Sequence, residues 1–145
     1  NSLVQVHGFD WFEGNQPDLW EKNIIPSGGK ESYSRVKKLN EIQSLSNILN
    51  IHKIDLTKDL SSFFEENTHL RFKLVFMDAG MYSVVKNALP FFWDRLTKGG
   101  IIIFDQYNFD ASPGETKAVS EVLNDFECEI KSFPFTWMPT AYIKK

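Results

Sequence analysis

Lys73-Leu-Val-Phe-Met-Asp78 and Gly100-Ile-Ile-Ile-Phe-Asp105 decide the reading of this chain. Each is an apolar run, the pattern of a strand buried on both faces of a parallel sheet, and each stops on an aspartate. Parallel neighbours need a crossover of helical length between them. The intervening segment supplies one, because Met81, Val84, Val85, Ala88, Leu89 and Phe92 recur at helical spacing and form one apolar stripe. Gly99-Gly100 then breaks the chain before the second strand. Open α/β sheets bind ligands just outside the carboxyl ends of their strands. Two strands that each deliver a carboxylate to that edge predict one shared polar site.

The same pattern extends in both directions. Leu3-Val-Gln-Val-His-Gly-Phe-Asp10 predicts a strand ending on an acid, and Ile51-His-Lys-Ile54 a short strand followed by Asp55. Trp11 to Gly29 is a loop rich in Gly, Pro, Asn and Trp. Ser32 to Leu49 predicts a helix with Val36, Leu39, Ile42, Leu45 and Leu49 on one face. Thr57 is the expected N-cap of a short helix carrying Leu60, Phe63 and Phe64. Beyond Asp105, Gln106 to Gly114 is a loop and Glu115 to Asn124 a helix with Ala118, Val119, Val122 and Leu123 facing inward. Phe126 to Phe133 and Thr140 to Lys144 predict two last strands, joined through Pro134-Phe-Thr-Trp-Met-Pro139 and paired antiparallel. The expected fold class is α/β, a Rossmann-like, mostly parallel sheet with a terminal antiparallel strand pair, formed by residues 1–145 as one domain.

Composition narrows the function classes. The 145 residues allow one domain with a real core, and 42% hydrophobic and 14% aromatic content marks a globular chain. Thirteen Phe and four Trp imply large buried side chains or a partner surface that covers them. A net charge of −3 predicts no general attraction to nucleic acid. The single cysteine, Cys128, excludes an internal disulfide framework and a multi-Cys zinc site, and its alternating surroundings give it a structural role. No apolar run approaches membrane-spanning length and no signal peptide opens the sequence, which predicts a reducing, cytoplasmic setting.

Five strings, in order and in spacing, resemble the macrocin-type sugar O-methyltransferases, class I enzymes that use S-adenosylmethionine. Val6-His-Gly-Phe-Asp-Trp-Phe-Glu-Gly14 resembles the family's G-F-D-[ST]-F-x-G. Phe76-Met-Asp-Ala-Gly-Met-Tyr82 resembles its D-x-D-x-Y. Leu96-Thr-Lys-Gly-Gly-Ile-Ile-Ile-Phe-Asp-Gln-Tyr107 resembles L-x-x-G-G-x-[IV]-x-F-D-[DE]-Y. Pro113-Gly-Glu-Thr-Lys-Ala118 resembles P-G-x-x-x-A, and Ala141-Tyr-Ile-Lys144 the closing strand. There are two departures. The strand and Gly-rich turn that precede the G-F-D strand in such enzymes have no counterpart in this sequence, so the resemblance implies the C-terminal portion of the fold, incomplete at its N-terminus. The acid set also differs, with Gly80 at the second acid of D-x-D and Gln106 at the second acid of the F-D-D pattern.

The resemblance implies roles for the strand-end residues. Asp10 would accept hydrogen bonds from the cofactor's ribose hydroxyls, its alternative being a solvated loop acid. Asp55 would meet the adenine edge, with the Leu56 backbone as donor, its alternative being a residue that merely precedes a helix. The loop aromatics Phe9, Trp11, Phe12 and Trp20 would stack on adenine or sugar, or else staple the loop to the core. Asp78, Asp105 and Gln106 form an oxygen donor set suited to Mg²⁺, unless Asp78 contacts only the cofactor and Gln106 is a loop residue. No general base is identified. Asp78 and Tyr107 are the only catalytic candidates, Tyr82 and Tyr107 reading equally as packing residues, and His7, His52 and His69 are given no catalytic role.

The implied function is methyl transfer from S-adenosylmethionine to a hydroxyl of a sugar or small natural-product or glycan acceptor, assisted by Mg²⁺. The expected partners are that acceptor and further copies of the chain, as a homo-oligomer, with no nucleic acid and no membrane. The alternatives are a catalytically inactive relative kept for assembly and another nucleotide-binding enzyme on the same topology.

Overall fold

A computed structural model describes residues 4–15, 17–21, 31–126, 128–135 and 137–145. The elements alternate as expected: β1 (Val6–Asp10), α1 (Tyr33–Ile42), β2 (Leu49–Lys53), α2 (Leu60–Glu66), β3 (Phe72–Met77), α3 (Tyr82–Arg95), β4 (Leu96–Phe104), α4 (Pro113–Leu123), β5 (Lys131–Ser132) and β6 (Ala141–Lys144). They form two sheets. One is the parallel pair β1-β2, and the other has the order β3-β4-β6-β5. The two deciding runs are the parallel pair β3 and β4, in register from Leu74↔Ile101 to Met77↔Phe104. The terminal strand β6 pairs antiparallel with both β4 and β5.

The core lies on one face of the larger sheet. Val75 and Met77 of β3, Ile102 and Phe104 of β4 and Ile143 of β6 turn toward Val85, Ala88, Leu89 and Phe92 of α3 and Ala118, Val119 and Val122 of α4, and all are buried. Each fully buried side chain of this size contributes about 1.5–3 kcal/mol of transfer free energy. Residues facing the opposite way, Leu74 and Phe76, are 55% and 52% exposed. The alternation that makes a strand is therefore intact, but only one face is covered.

Several elements depart from the sequence expectation. The helix expected over Ser32 to Leu49 starts as read, with the Ser32 hydroxyl accepting from Arg35 N at 3.4 Å, but stops at Ile42. Ser44 takes a left-handed φ of 56°, and Leu45 O then accepts from both Ile48 N and Leu49 N, which turns the chain into β2. Leu39 and Ile42, placed on an apolar stripe, are exposed, and α1 has no buried residue. Thr57 does not cap α2. The capping position is Asp59, and Thr57 donates instead to Asp55. The strand expected over Phe126 to Phe133 shrinks to Lys131–Ser132, because Asp125, Phe126 and Cys128 turn back through local bonds to Val122, Leu123 and Phe126. Residues 22–30 of the first loop lie outside the described residues.

The two sheets do not meet edge to edge. A groove of about 980 Å³ runs between β1 and β3, lined by residues 4–11 on one side and 69–79 on the other, with Val84 and Phe92 of α3 also lining it. An aromatic ladder ties the ribbon to the rest: Phe9 lies 5.3 Å from Phe63, 5.4 Å from Phe92 and 6.3 Å from Phe72, ring centre to ring centre.

Candidate functional site

Three strand ends deliver acids to the groove. Asp10 closes β1, and its Oδ1 accepts from Phe12 N at 2.5 Å. That bond holds a tight turn in which Phe12 takes φ 64° and is buried. Trp11 is fixed alongside by its indole N–H, which donates to Gly14 O at 2.8 Å. Asp55 follows β2. Its Oδ1 accepts from Thr57 N at 2.9 Å and Thr57 Oγ1 at 2.6 Å, and its Oδ2 pairs with Lys58 at 3.1 Å. Burial pushes this carboxyl up, but the Thr57 bonds and the Lys58 ammonium outweigh it and hold the pKa below the usual aspartate value. Asp78 follows β3 and is exposed. Asp10, Trp11, Asp55, Leu56 and Asp78 all line the one groove. Asp55 spends its acceptors on its own turn, and the Leu56 carbonyl accepts from Asn87 Nδ2.

A second cluster lies beyond β4. Burial, and then the negative charge of Asp78, raise the Asp105 pKa. Two carboxylates that repel each other across two adjacent strand ends are an electrostatic setting that a cation relieves. Gln106 N donates at 2.8 Å to Glu115 Oε1 in the first turn of α4. Glu115 is fully buried, and burial above all, with the charges of Asp105 and Asp78, drives its carboxyl up to about 7. Its Oε2 is buried without a hydrogen-bond partner. Gly80 takes φ 63°, a region where a Cβ is strained, and any Cβ there would collide with the Gln106 amide oxygen. The two positions that depart from the resembled pattern are thus in contact, the long amide at 106 using space that a side chain at 80 would need. Ser112 Oγ donates to Gly80 O at 2.7 Å and locks the turn from the other side.

The first loop straps these turns together. Asp18 Oδ2 accepts from Ser83 N at 3.1 Å and Glu21 Oε1 accepts from Tyr82 N at 2.9 Å, so two carboxylates satisfy orphan donors at the start of α3, where the helix dipole favours negative charge. Glu21 is buried, and desolvation raises its pKa. Its carboxylate lies against Gly114 at the start of α4, where a Cβ would collide with it.

A family model described as "Methyltransferase domain" matches residues 1–107. The chain belongs to this methyltransferase family. Solved structures extend the fold match to nearly the whole of this chain. The calicheamicin methyltransferase CalS11 superposes with a TM-score of 0.83 at 21% identity, over 99% of this chain and 61% of that one. The apo structure of CalS11, a TDP-rhamnose 3'-O-methyltransferase of calicheamicin biosynthesis, gives 0.74 at 23% identity, over 99% and 60%. The O-methyltransferase NovP gives 0.71 at 18% identity, over 97% and 59%. The chain therefore spans about six-tenths of the length of these neighbours, and the fold is that of class I methyltransferases. No curated protein matches the chain.

Of the candidate residues, the structure brings Asp10, Trp11, Asp55, Leu56 and Asp78 to one groove, and sets Asp105 and Gln106 at the adjacent strand end, outside its lining. Among the described residues no group of three or more His, Cys, Asp or Glu side chains is arranged to hold a metal. The donor set Asp78, Asp105 and Gln106 fits a hard cation only as two carboxylates and an amide, with water completing the shell. Tyr107 is half-buried and packs at 6.4 Å from Phe104. Of the loop aromatics, Phe12 packs against Tyr33 at 5.1 Å and Trp20 against Tyr82 at 5.9 Å, which makes them staples. The reading by sequence passed over Glu115, Glu21 and Asp18. The signal for Glu115 was an acid two residues after Pro113 at a helix start. His7 and His52 are also a pair, Nδ1 to Nε2 at 3.0 Å.

Proposed function

We propose that this methyltransferase domain moves a methyl group from S-adenosylmethionine to a hydroxyl of a sugar or a small glycosylated natural product. The observation that carries the reading is the convergence of Asp10, Asp55 and Asp78, from three successive strand ends, on one groove whose 980 Å³ is of ligand size. Asp10 offers a carboxylate to paired ribose hydroxyls, and Trp11, pinned by Gly14, offers a ring face beside it. The Leu56 backbone and Asp55 border the base. The bound cofactor supplies an activated methyl on a sulfonium, so the protein's share is alignment of the acceptor oxygen. The sugar-modifying activities named for CalS11 support a sugar hydroxyl as acceptor.

Asp78, Asp105 and Gln106 would hold Mg²⁺, whose charge lowers the pKa of an acceptor hydroxyl. The raised pKa of Asp105 supports that assignment, since a cation placed there would bring it down. A net charge of −3 disfavours nucleic acid as acceptor.

Equilibrium dialysis against labelled S-adenosylmethionine tests the reading. The expected result is measurable binding, weakened at least tenfold by Asp10→Ala and unchanged by Asp94→Ala on the exposed side of α3. Equal retention by the two variants, or none by the parent chain, would overturn it.

A further inference from the structure

One buried acid breaks the rule that governs the rest of the core. Glu115 is fully buried in the first turn of α4, yet its Oε2 has no hydrogen-bond partner. Buried polar atoms are paired in nearly every case, and one without a partner calls for an explanation. The charges of Asp105 and Asp78 also act on this carboxyl and disfavour its ionised form. A glutamine would accept the same bond from Gln106 N without bringing a third negative charge to the cluster. For stability alone the acid is the worse side chain. A local choice of that kind is expected where a protein works rather than where it only folds.

The groups that the carboxylate faces supply the explanation. Oε1 accepts from Gln106 N at 2.8 Å, and the Gly80 N–H also favours the charged form. Positions 106 and 80 are the two at which this sequence departs from the acid pattern it resembles. The Gln106 amide oxygen fills the notch over Gly80, so a side chain at 80 has no room. Glu115 therefore brings from α4 a negative charge that the two turns themselves do not carry. Among the described residues no three His, Cys, Asp or Glu side chains are arranged to ligate one metal, so Glu115 acts from outside the donor set. A charge a few ångström away still attracts a cation strongly where water is excluded, and groups behind the ligands tune a metal's affinity.

We propose that Glu115 is a positioning residue for the cation of Asp78, Asp105 and Gln106: without ligating it, its carboxylate supplies the charge absent at 80 and 106 and braces the two turns. The inference rests on the cation assignment made under the proposed function. It concerns a residue on another element, in a position that this assignment does not use.

The test is Mn²⁺ binding by the 145-residue chain, read from the electron paramagnetic resonance of the free ion at pH 8, with Mg²⁺ as competitor. Glu115→Gln should weaken binding about tenfold or more while its urea midpoint rises above the parent's. A side chain kept only for stability would not move those two readouts in opposite directions. Asp94→Asn removes the same charge on the exposed side of α3 and should leave binding within about twofold. The Gln106 amide should keep its hydrogen-bonded proton shift in Glu115→Gln and lose it in Glu115→Ala. Parent-like binding by Glu115→Gln would overturn the proposal, and if Asp78→Asn still abolishes uptake the cation assignment stands without it. A parent chain that takes up no Mn²⁺ at millimolar concentration would overturn both, while the cofactor reading is judged separately by dialysis. A Gln106 amide indifferent to Glu115→Ala would overturn the brace.

Discussion

The four-stranded sheet and the two-stranded ribbon are written in the same sequence grammar and reach different states. In the larger sheet, Ile102, Phe104 and Ile143 are fully buried beneath α3 and α4. In the ribbon no residue from Val6 to Asp10 is buried, and its helix α1 buries nothing. The difference is not in propensity. Val, Ile and Phe populate both, and α1 has a capped start. It lies in the number of covered faces. A strand gains stability from neighbours on both edges and layers on both faces, and the ribbon has one edge and, in Phe9 and His52, one tethered face.

The comparison breaks most sharply in the core. Phe104→Ala should cost about 3–5 kcal/mol and approach the whole stability of a small domain, whereas Ile42→Ala in α1 should change it by less than ~0.5 kcal/mol. Urea unfolding followed by circular dichroism measures both. Equal losses would put α1 in the core.

The strap between the regions comes next. Gly114→Ala would drive a methyl into the Glu21 carboxylate and the Tyr82 amide. Overpacking of that kind costs about 1–3 kcal/mol and should melt the strap before the sheet. Trp20 reports it, since its ring lies 5.9 Å from Tyr82. An unchanged emission spectrum would argue against a closed strap.

Glu115→Gln carries the sign of its buried proton. The folded pKa of about 7 lies above the ordinary glutamate value of 4.5, so the folded state holds its proton more tightly than the unfolded chain. That contribution is fully present below pH 4.5 and is lost as pH rises through about 7. The variant should match the parent at pH 4 and exceed it at pH 8 by roughly 1–3 kcal/mol, taking each pKa unit as about 1.4 kcal/mol. A parent whose stability rises across that window relative to the variant would contradict the burial of this group.

The histidine pair supplies the opposite sign and the smallest effect. Burial, with His69 acting on His7 and His7 acting on His52, lowers both pKa values from 6.5. Their contribution is present above pH 6.5 and is lost as pH falls through the lowered values. Between pH 4.5 and 6.5 the pair and Glu115 oppose each other, so each must be read in its own variant. His7→Phe should remove part of the acid-side loss from the ribbon and leave α3 and α4 unaffected. A pH profile identical to the parent would show that the 3.0 Å contact carries no linkage.

What could be read from the sequence follows the same division. β3 and β4 were legible because each is a long apolar run that stops on an acid, and the buried stripe of α3 by its helical spacing, although the structure covers only one face of β3 and leaves Leu74 and Phe76 exposed. The strand-end residues Asp10, Asp55 and Asp78 were legible for the same reason. The length of α1 was not, because Leu45 and Leu49 keep helical spacing while Ser44 leaves the helix. Nor was the collapse of the Phe126 strand into turns, since its alternation persists without a ladder. Glu21 and Glu115 escaped because their significance is tertiary: each is an acid whose partner amide lies on another element, at Tyr82 and Gln106. The coupling of Gly80 to Gln106 is equally invisible in one dimension.

The central claim is that the four-stranded sheet is anchored under α3 and α4 while the two-stranded ribbon is only tethered. Hydrogen exchange on the chain alone tests it most directly. Amides of β4 and β6, which pair with each other from Ile101↔Lys144 to Phe104↔Ala141, should exchange only through global unfolding, with protection that falls as denaturant rises. Amides of β1 and β2 should open locally, at a free energy several kcal/mol lower and nearly independent of denaturant. A single protection level shared by both sheets would contradict the account.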